Sequence, residues 1–515
     1  VDDALISFRY ARHLAEGHGL VWNVGEWVEG YTNFAWTLWM SLAFLVDLDP
    51  VHFAQLSGLA AFALALVATG AATRALLGAD VPALVAVTLL ALTPTFNAYA
   101  TSGLETALQA ATLTGALALT LRAWRRQRLE LREAAALSSL LALAVWTRMD
   151  SAALGAWFGL AALAGVLRGG WAAPDRRLRT LAALVLPFTV LVGGWLSWKA
   201  WAYGGILPNT FYAKTGAEGA WSVGLAYLGT YVHSTLLYPA LIVGALGVAQ
   251  AWRSRHAPVL VGLGALGTWL LYVAAVGGDF MEFRFLVAAL PLATVIGVWA
   301  LYSAIHSPVL RAVIVATTLA GGLHHQLTFE GQGGIESVEQ LASHLTHEVQ
   351  DWEGVGKTLG RDLGPDSSAV LATTAAGAIP YYARLRTVDM LGLTDEWVAR
   401  NGKRVSLQIA HHRLAPLHYL VEREVNLVLG QPWLRRAGKP PRTRYPFAHL
   451  RELHALVGER ARDFPPSASM VEIPMAGDRV LVALYLLPHP DVDRAIAERG
   501  WRRIPIVTTD PDTTL

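Results

Sequence analysis

The chain is 515 residues long, 54% of them apolar and only 16% charged, and its 41 Lys and Arg against 39 Asp and Glu leave a formal charge of +2. Soluble domains carry about 25% charged residues; with a mean hydropathy of +0.39, this chain has too little polar surface for one water-soluble globule, and most of it belongs in lipid. The near-neutral balance excludes an electrostatic footprint for nucleic acid, and the lack of Cys excludes disulfide frameworks, thiolate metal sites and cysteine nucleophiles.

In chain order, Val1 precedes an acidic pair, Asp2-Asp3, and a helical-looking run from Ala4 to Ala11. With no Met and no signal-like apolar stretch, a preceding segment is expected to have been trimmed. Phe34 to Val46 is an apolar run of about 13 residues, which suits an interfacial helix better than a span. Ten longer runs are found, at 53–76, 81–98, 104–121, 134–149, 151–167, 180–202, 224–251, 257–276, 285–304 and 309–325. Most approach the roughly 20 residues needed to cross about 30 Å of hydrocarbon. If 1–52 lies outside and each run crosses once, the inner loops hold Arg74, the Arg122 to Arg132 group, Arg168, Arg176, Arg177, Arg179, Arg253, Arg255 and Arg311. The outer segments before the tail hold only Arg9, Arg12, Arg148, Lys214 and Arg284, which satisfies the positive-inside rule.

From about residue 326 the pattern turns soluble, with charges, Pro turns and β-like runs at 368–373, 425–429 and 479–487 between helix-like stretches. Residues 1–325 therefore read as a membrane body, with 1–52 its first outer loop, and 326–515 as one α/β domain on the outer face. Gly331 to Gly334 marks the join.

The unusual polar motifs all fall on the outer side: Asp2-Asp3, Ser102-Gly-Leu-Glu105, Thr147-Arg148-Met149-Asp150, Pro208-Asn209-Thr-Phe-Tyr212-Ala-Lys214 and Gly277-Gly-Asp279-Phe-Met-Glu-Phe-Arg284. Ionisable groups at membrane depth are costly and line cavities or paths. Acids can take a proton from a hydroxyl, and cations can hold a phosphate leaving group, the two needs of group transfer from a lipid phosphate. Plainer roles stand beside each. An Asp of the first pair can cap its helix, Ser102-x-x-Glu105 matches a capping box, Arg148 and Asp150 can pair at a helix break, and Lys214 can snorkel. His324-His325 and His411-His412 lack partners at metal-ligand spacing.

The run from Asp2 to Asn23 with Glu29-Gly-Tyr-Thr-Asn33 resembles the first outer loop of the GT-C glycosyltransferases, especially the actinobacterial terminal arabinofuranosyltransferase group. The resemblance continues through Gly103-Leu-Glu-Thr-Ala-Leu108, Thr147-Arg-Met-Asp150, Leu207 to Lys214, Gly277-Gly-Asp-Phe280 with Arg284-Phe285, and Val388-Asp-Met-Leu-Gly-Leu393. It departs at Met149, where relatives have Pro. The resemblance implies a polytopic α-helical membrane protein of GT-C type, about ten spans here and one upstream, with an extracytoplasmic C-terminal α/β domain in a bacterial plasma membrane. It implies inverting transfer of a sugar, arabinofuranose among the candidates, from a polyprenyl phosphate to a cell-envelope glycan or glycolipid.

On that reading Asp2 or Asp3 supplies the base, and Arg148, Lys214, Arg284 and Arg9 hold the donor phosphate. Asn33, Glu105, Asp150, Asn209, Tyr212 and Asp279 bind or orient donor and acceptor. A divalent cation is an option at Glu105 or Asp279 rather than a requirement. The rival classes are a lipid-linked sugar flippase or transporter, which would place polar residues near the midplane in pseudo-symmetric halves, and a non-catalytic cell-surface assembly protein.

Overall fold

The structure, a computed structural model, describes all residues except 169, 215–218, 409–410, 431, 439–455, 457–458 and 506–515, and omits the side chains of 406–408, 411, 461 and 505. The chain forms two compact units, one of 1–31, 207–217 and 338–515, the other of 32–206 and 218–337.

The second unit is helical. Four helices, Pro50–Leu77, Met149–Leu167 with its opening 3-10 turn, Arg177–Tyr203 and Ala257–Ala275, are long and apolar enough to cross a membrane, and only 22% to 33% of the most apolar window of each is buried within the protein. Large apolar side chains thus face outward, as lipid-facing helices require. The run at 224–251 divides into Ala220–Ser234 and Tyr238–Arg253, bent by 112°. Leu236 in the break has a φ of 50°, and Pro239 cannot donate the amide that would continue the first helix. Pro94 likewise divides the run at 81–98, where Asp80–Ala91 ends before Pro94–Ala98. Phe34–Leu45 is a separate helix of 12 residues. Close helix contacts rest on small residues; a Cβ on Gly224 would lie 2.3 Å from the Ala274 carbonyl oxygen.

The first unit is α/β. Its strands are β1 (Val370–Thr373), β2 (Arg386–Asp389), β3 (Lys403–Gln408), β4 (His411–Leu414), β5 (Leu427–Gly430), β6 (Leu434–Arg436), β7 (Ser469–Met475), β8 (Arg479–Tyr485) and β9 (Arg502–Pro505). The main sheet runs β2-β1-β5-β8-β7-β9 with β6 on β8, while β3 and β4 make a separate ribbon. β1 is parallel to β2 and β5, and the pairings β5–β8, β8–β7 and β7–β9 are antiparallel. The β-like runs at 368–373, 425–429 and 479–487 coincide with β1, β5 and β8. Val370, Val388, Val428, Met470 and Leu484 are buried in one core cluster, the inward positions that strand alternation selects. Helix Ala378–Ala383 connects β1 to β2, and Asp2–Ala15 packs against it in the same unit.

Candidate active site

In the helical unit, Leu131–Thr147 ends at Arg148, whose backbone is extended, and a 3-10 turn over Met149–Ser151 starts the next helix. This break turns Arg148 and Asp150 toward each other. Arg148 Nη2 donates to Asp150 Oδ2 at 2.6 Å, and Nε reaches both Asp150 oxygens at 3.1 and 3.2 Å. Arg148 Nη1 donates to Glu105 Oε1 at 2.9 Å. The capping box at Ser102-x-x-Glu105 does not form: the Ser102 hydroxyl donates to Tyr99 O and accepts from Leu104 N, while Glu105 turns to Arg148. Asn33 Nδ2 donates to Glu105 Oε2 at 2.8 Å, with its own oxygen accepting from Thr37.

Two residues without charge complete the arrangement. Gln109 Nε2 donates to Asp150 Oδ1 at 3.0 Å, and the Tyr272 hydroxyl donates to Asp150 Oδ2 at 3.3 Å. Phe285 lies between two cations, its ring 5.4 Å from the Arg148 guanidinium and 5.6 Å from that of Arg284. Arg284 Nε donates to Asp279 Oδ2 at 2.5 Å, and both side chains are buried. Nearby in sequence, buried His325 Nε2 meets Glu282 Oε1 at 2.9 Å.

The other candidates, Asp2, Asp3, Arg9, Asn209, Tyr212 and Lys214, belong to the α/β unit. Asp2 accepts from Ala378 N at 2.7 Å and Gly377 N at 3.2 Å. Burial pushes its carboxyl up to about 6 against the hydrogen bond from Ala378. Arg9 donates to the carbonyls of Trp22, Pro380 and Leu385 and to Asn23 Oδ1, at 2.6 to 3.2 Å, with its guanidinium 4.6 Å over the Trp22 ring. Asn209 Nδ2 donates to the Gly392 and Leu393 carbonyls, and its N–H to Glu29 O. Arg400 sits 4.3 Å over the Tyr212 ring. Lys214 ends helix Asn209–Lys214, and burial, then Arg413 and Lys214, hold His412 below the usual imidazole range. Buried Asp389, in the tail motif, accepts from Leu391 N and from the N–H and hydroxyl of Thr394; burial pushes it up to about 6.

Ser368, His489 and Asp491 have the look of a nucleophile, base and orienter, with Ser368 Oγ 3.0 Å from His489 Nε2. The roles are reversed, however. His489 Nδ1 accepts the Asp491 N–H at 3.2 Å as it caps helix Pro490–Glu498, so Nε2 carries the proton and donates to Ser368 rather than taking its proton. Among the described residues, no three of His, Asp and Glu converge for a metal ion.

The helical apolar body with an α/β unit has the GT-C fold. It matches ArnT from Cupriavidus metallidurans, whose structures include the apo state and a complex with undecaprenyl phosphate, with a TM-score of 0.56 over 94% of this chain and 93% of that chain. Identity is 15%. In sequence the chain is similar to the terminal β-(1→2)-arabinofuranosyltransferase of Mycobacterium tuberculosis, 30% identical over 333 residues, 56% of this chain and 50% of that protein. The protein of the same name from Corynebacterium glutamicum is 28% identical over 327 residues, 56% of this chain and 46% of that protein. The chain thus spans about half the length of these relatives. Residues 340–476 match a family described as a domain of unknown function, DUF8728. The resemblance carried by the motifs is borne out by these likenesses.

Proposed function

We propose that the chain is an inverting glycosyltransferase of GT-C type that takes a sugar from a polyprenyl phosphate at the outer face of a bacterial plasma membrane. The observation that carries this reading is the convergence of three separated motifs, 102–105, 147–150 and 279–284, on one buried cluster of acids and guanidinium groups. The acceptor hydroxyl oxygen attacks the anomeric carbon from the face opposite the phosphate, the bond from that carbon to the phosphate oxygen breaks, and the electron pair leaves with polyprenyl phosphate. Asp2 or Asp3 takes the hydroxyl proton. Arg148, Lys214 and Arg284 face the phosphate as its charge grows, a role in which preorganised cations act strongly in a dry site. Arg9, already donating to four acceptors, anchors the helix Asp2–Ala15 that carries the acid pair. Glu105, Asp150 and Asp279 keep the two guanidinium groups oriented, while Asn33, Asn209 and Tyr212 shape the donor and acceptor positions. The names of the relatives make arabinofuranose the first donor sugar to test; the acceptor is a cell-envelope glycan or glycolipid.

The test is release of free polyprenyl phosphate by the full chain in lipid nanodiscs, given a panel of polyprenyl-phospho-sugars and a cell-wall glycan extract. Release with one sugar, reduced roughly 100- to 10,000-fold in folded Asp2→Asn or Asp3→Asn, is the expected result. No release from any donor, with lipid binding intact, would move the assignment to a flippase or an assembly protein.

A further inference from the structure

Asp2 does not cap the helix it begins: Val1 holds the N-cap position and no side chain bonds there. Its carboxylate reaches instead to the turn after β1, where Oδ1 takes the Ala378 N–H and Oδ2 the Gly377 N–H. The approach is too close for any side chain at 377. A Cβ there would stand 2.1 Å from the Asp2 main-chain oxygen and 2.6 Å from its Cγ and Oδ1, inside van der Waals contact. The φ of Gly377 is negative, −91°, so the requirement is for space rather than for a left-handed backbone. The contact is not isolated, because the Asp2–Ala15 helix grips Ala378–Ala383 along its length. Arg9 Nη1 donates to Pro380 O at 2.6 Å, Arg12 Nη1 to Tyr381 O at 3.0 Å, and Phe8 meets the Tyr381 ring edge-on at 6.4 Å.

We propose that Gly377 is a positioning residue for Asp2: its missing side chain lets two tail amides fix the Asp2 carboxylate in the orientation that sugar transfer requires. The proposal rests on the acid-pair reading above. One N–H on each oxygen stops the carboxylate from rotating and leaves a lone pair on each for a second partner. Asp3 and His344 are the other ionisable side chains that bear on Asp2. The α/β tail thereby contributes to the proposed chemistry through two backbone atoms, and a sequence motif of polar side chains would not reveal it.

The experiment compares the full chain with Gly377→Ala and Asp2→Ala in nanodiscs, by steady-state kinetics with a polyprenyl-phospho-sugar donor and by hydrogen exchange of residues 374–383 without substrate. Gly377→Ala is expected to lower kcat about 100-fold, the cost of a misplacement near 1 Å, with donor KM changed less than about twofold, since the donor contacts are elsewhere. Exchange at 374–383 is expected to speed up in both variants. Wild-type kcat in folded Gly377→Ala, or unchanged exchange in Asp2→Ala, overturns the proposal. Should Gly377→Ala not fold, the Asp2→Ala exchange decides alone. A wild-type chain inactive on every donor defeats the transferase reading instead, and exchange still reports whether the amides hold Asp2.

Discussion

Arg148 sits between Glu105 and Asp150 with its side chain only 12% exposed and theirs at 3% and 8%. Removing one partner from a buried pair leaves an unbalanced charge, which costs about 3 to 5 kcal/mol. The Arg148→Met, Glu105→Gln pair should therefore lower the melting temperature in detergent by less than the sum of the two single losses; strict additivity in that cycle would show the contact to be worth nothing. His13 makes a prediction in pH. Burial, then the charge of Arg9, holds its imidazole down to about 4, with Nδ1 against Val21 O at 2.8 Å. The unfolded chain takes that proton near pH 6.5, so the stability due to neutral His13 is present above 6.5 and is lost as pH falls through about 4, roughly 3 kcal/mol in all. Asp2 and Asp389, both raised to about 6, act oppositely, their contribution being full below about 3.8 and lost as pH rises through about 6. Relative to the unsubstituted chain, His13→Gln should gain melting temperature as pH falls from 6.5 to 4; an unaltered pH dependence would remove His13 from the account. Glu105, Arg148, Asp150, Asp279 and Arg284 were legible as candidates, because ionisable side chains stand out in an apolar background, whereas His13 was not singled out. Gln109 and Tyr272 were not, since an amide and a phenol inside apolar runs give no signal until the helices pack.

Among the elements, helices were readable where an apolar run lacked Pro, as at 104–121, and strands where β-branched residues clustered, as at 425–429. Between the two readings of the 102–105 motif the choice has a tertiary cause. Ser102-x-x-Glu105 has the residues of a capping box, yet a buried guanidinium outcompetes a backbone amide for Glu105. The short ribbon β3–β4 and strand β9 carry Arg and Lys where alternation would need apolar residues, which hid them. Helix Ala220–Ser234 offers an internal comparison. A Cβ on Gly224 would meet the Ala274 backbone, whereas one on Gly229 would meet nothing within 4 Å. Gly224→Ala should destabilise by about 1 to 3 kcal/mol through overpacking. Gly229→Ala should be neutral or stabilising by up to about 1 kcal/mol through helix propensity. Equal thermal shifts for the two would contradict the packing described between this helix and Ala257–Ala275.

At the level of the whole molecule, the absence of Cys makes the expected topology directly testable. Ser254→Cys lies between Arg253 and Arg255, in a loop read as cytoplasmic, and Ser343→Cys in the tail read as external. A membrane-impermeant maleimide on intact cells should label Ser343→Cys and spare Ser254→Cys until the membrane is opened. The reverse pattern would invert the topology and with it the side on which transfer is proposed. The sequence pattern puts the change to soluble character near Gly331 to Gly334 and gives no sign that 1–31 and 207–217 fold with residues beyond 337. Pattern along the chain carries no information on partners hundreds of residues away.

That three-part construction sets a schedule for biogenesis. Arg9 finds its acceptors at Pro380 and Leu385, 371 and 376 residues later in the chain. At about 5 to 20 residues per second, a ribosome needs roughly 20 to 75 s to supply them. Throughout that interval residues 1–31, with Phe8, Tyr10 and Trp22 destined for burial, have been delivered without the partners beyond residue 377 on which they close. This segment is thus a client for whatever shields nascent chains at the membrane surface, and premature termination upstream of Ala378 would leave it without those partners permanently.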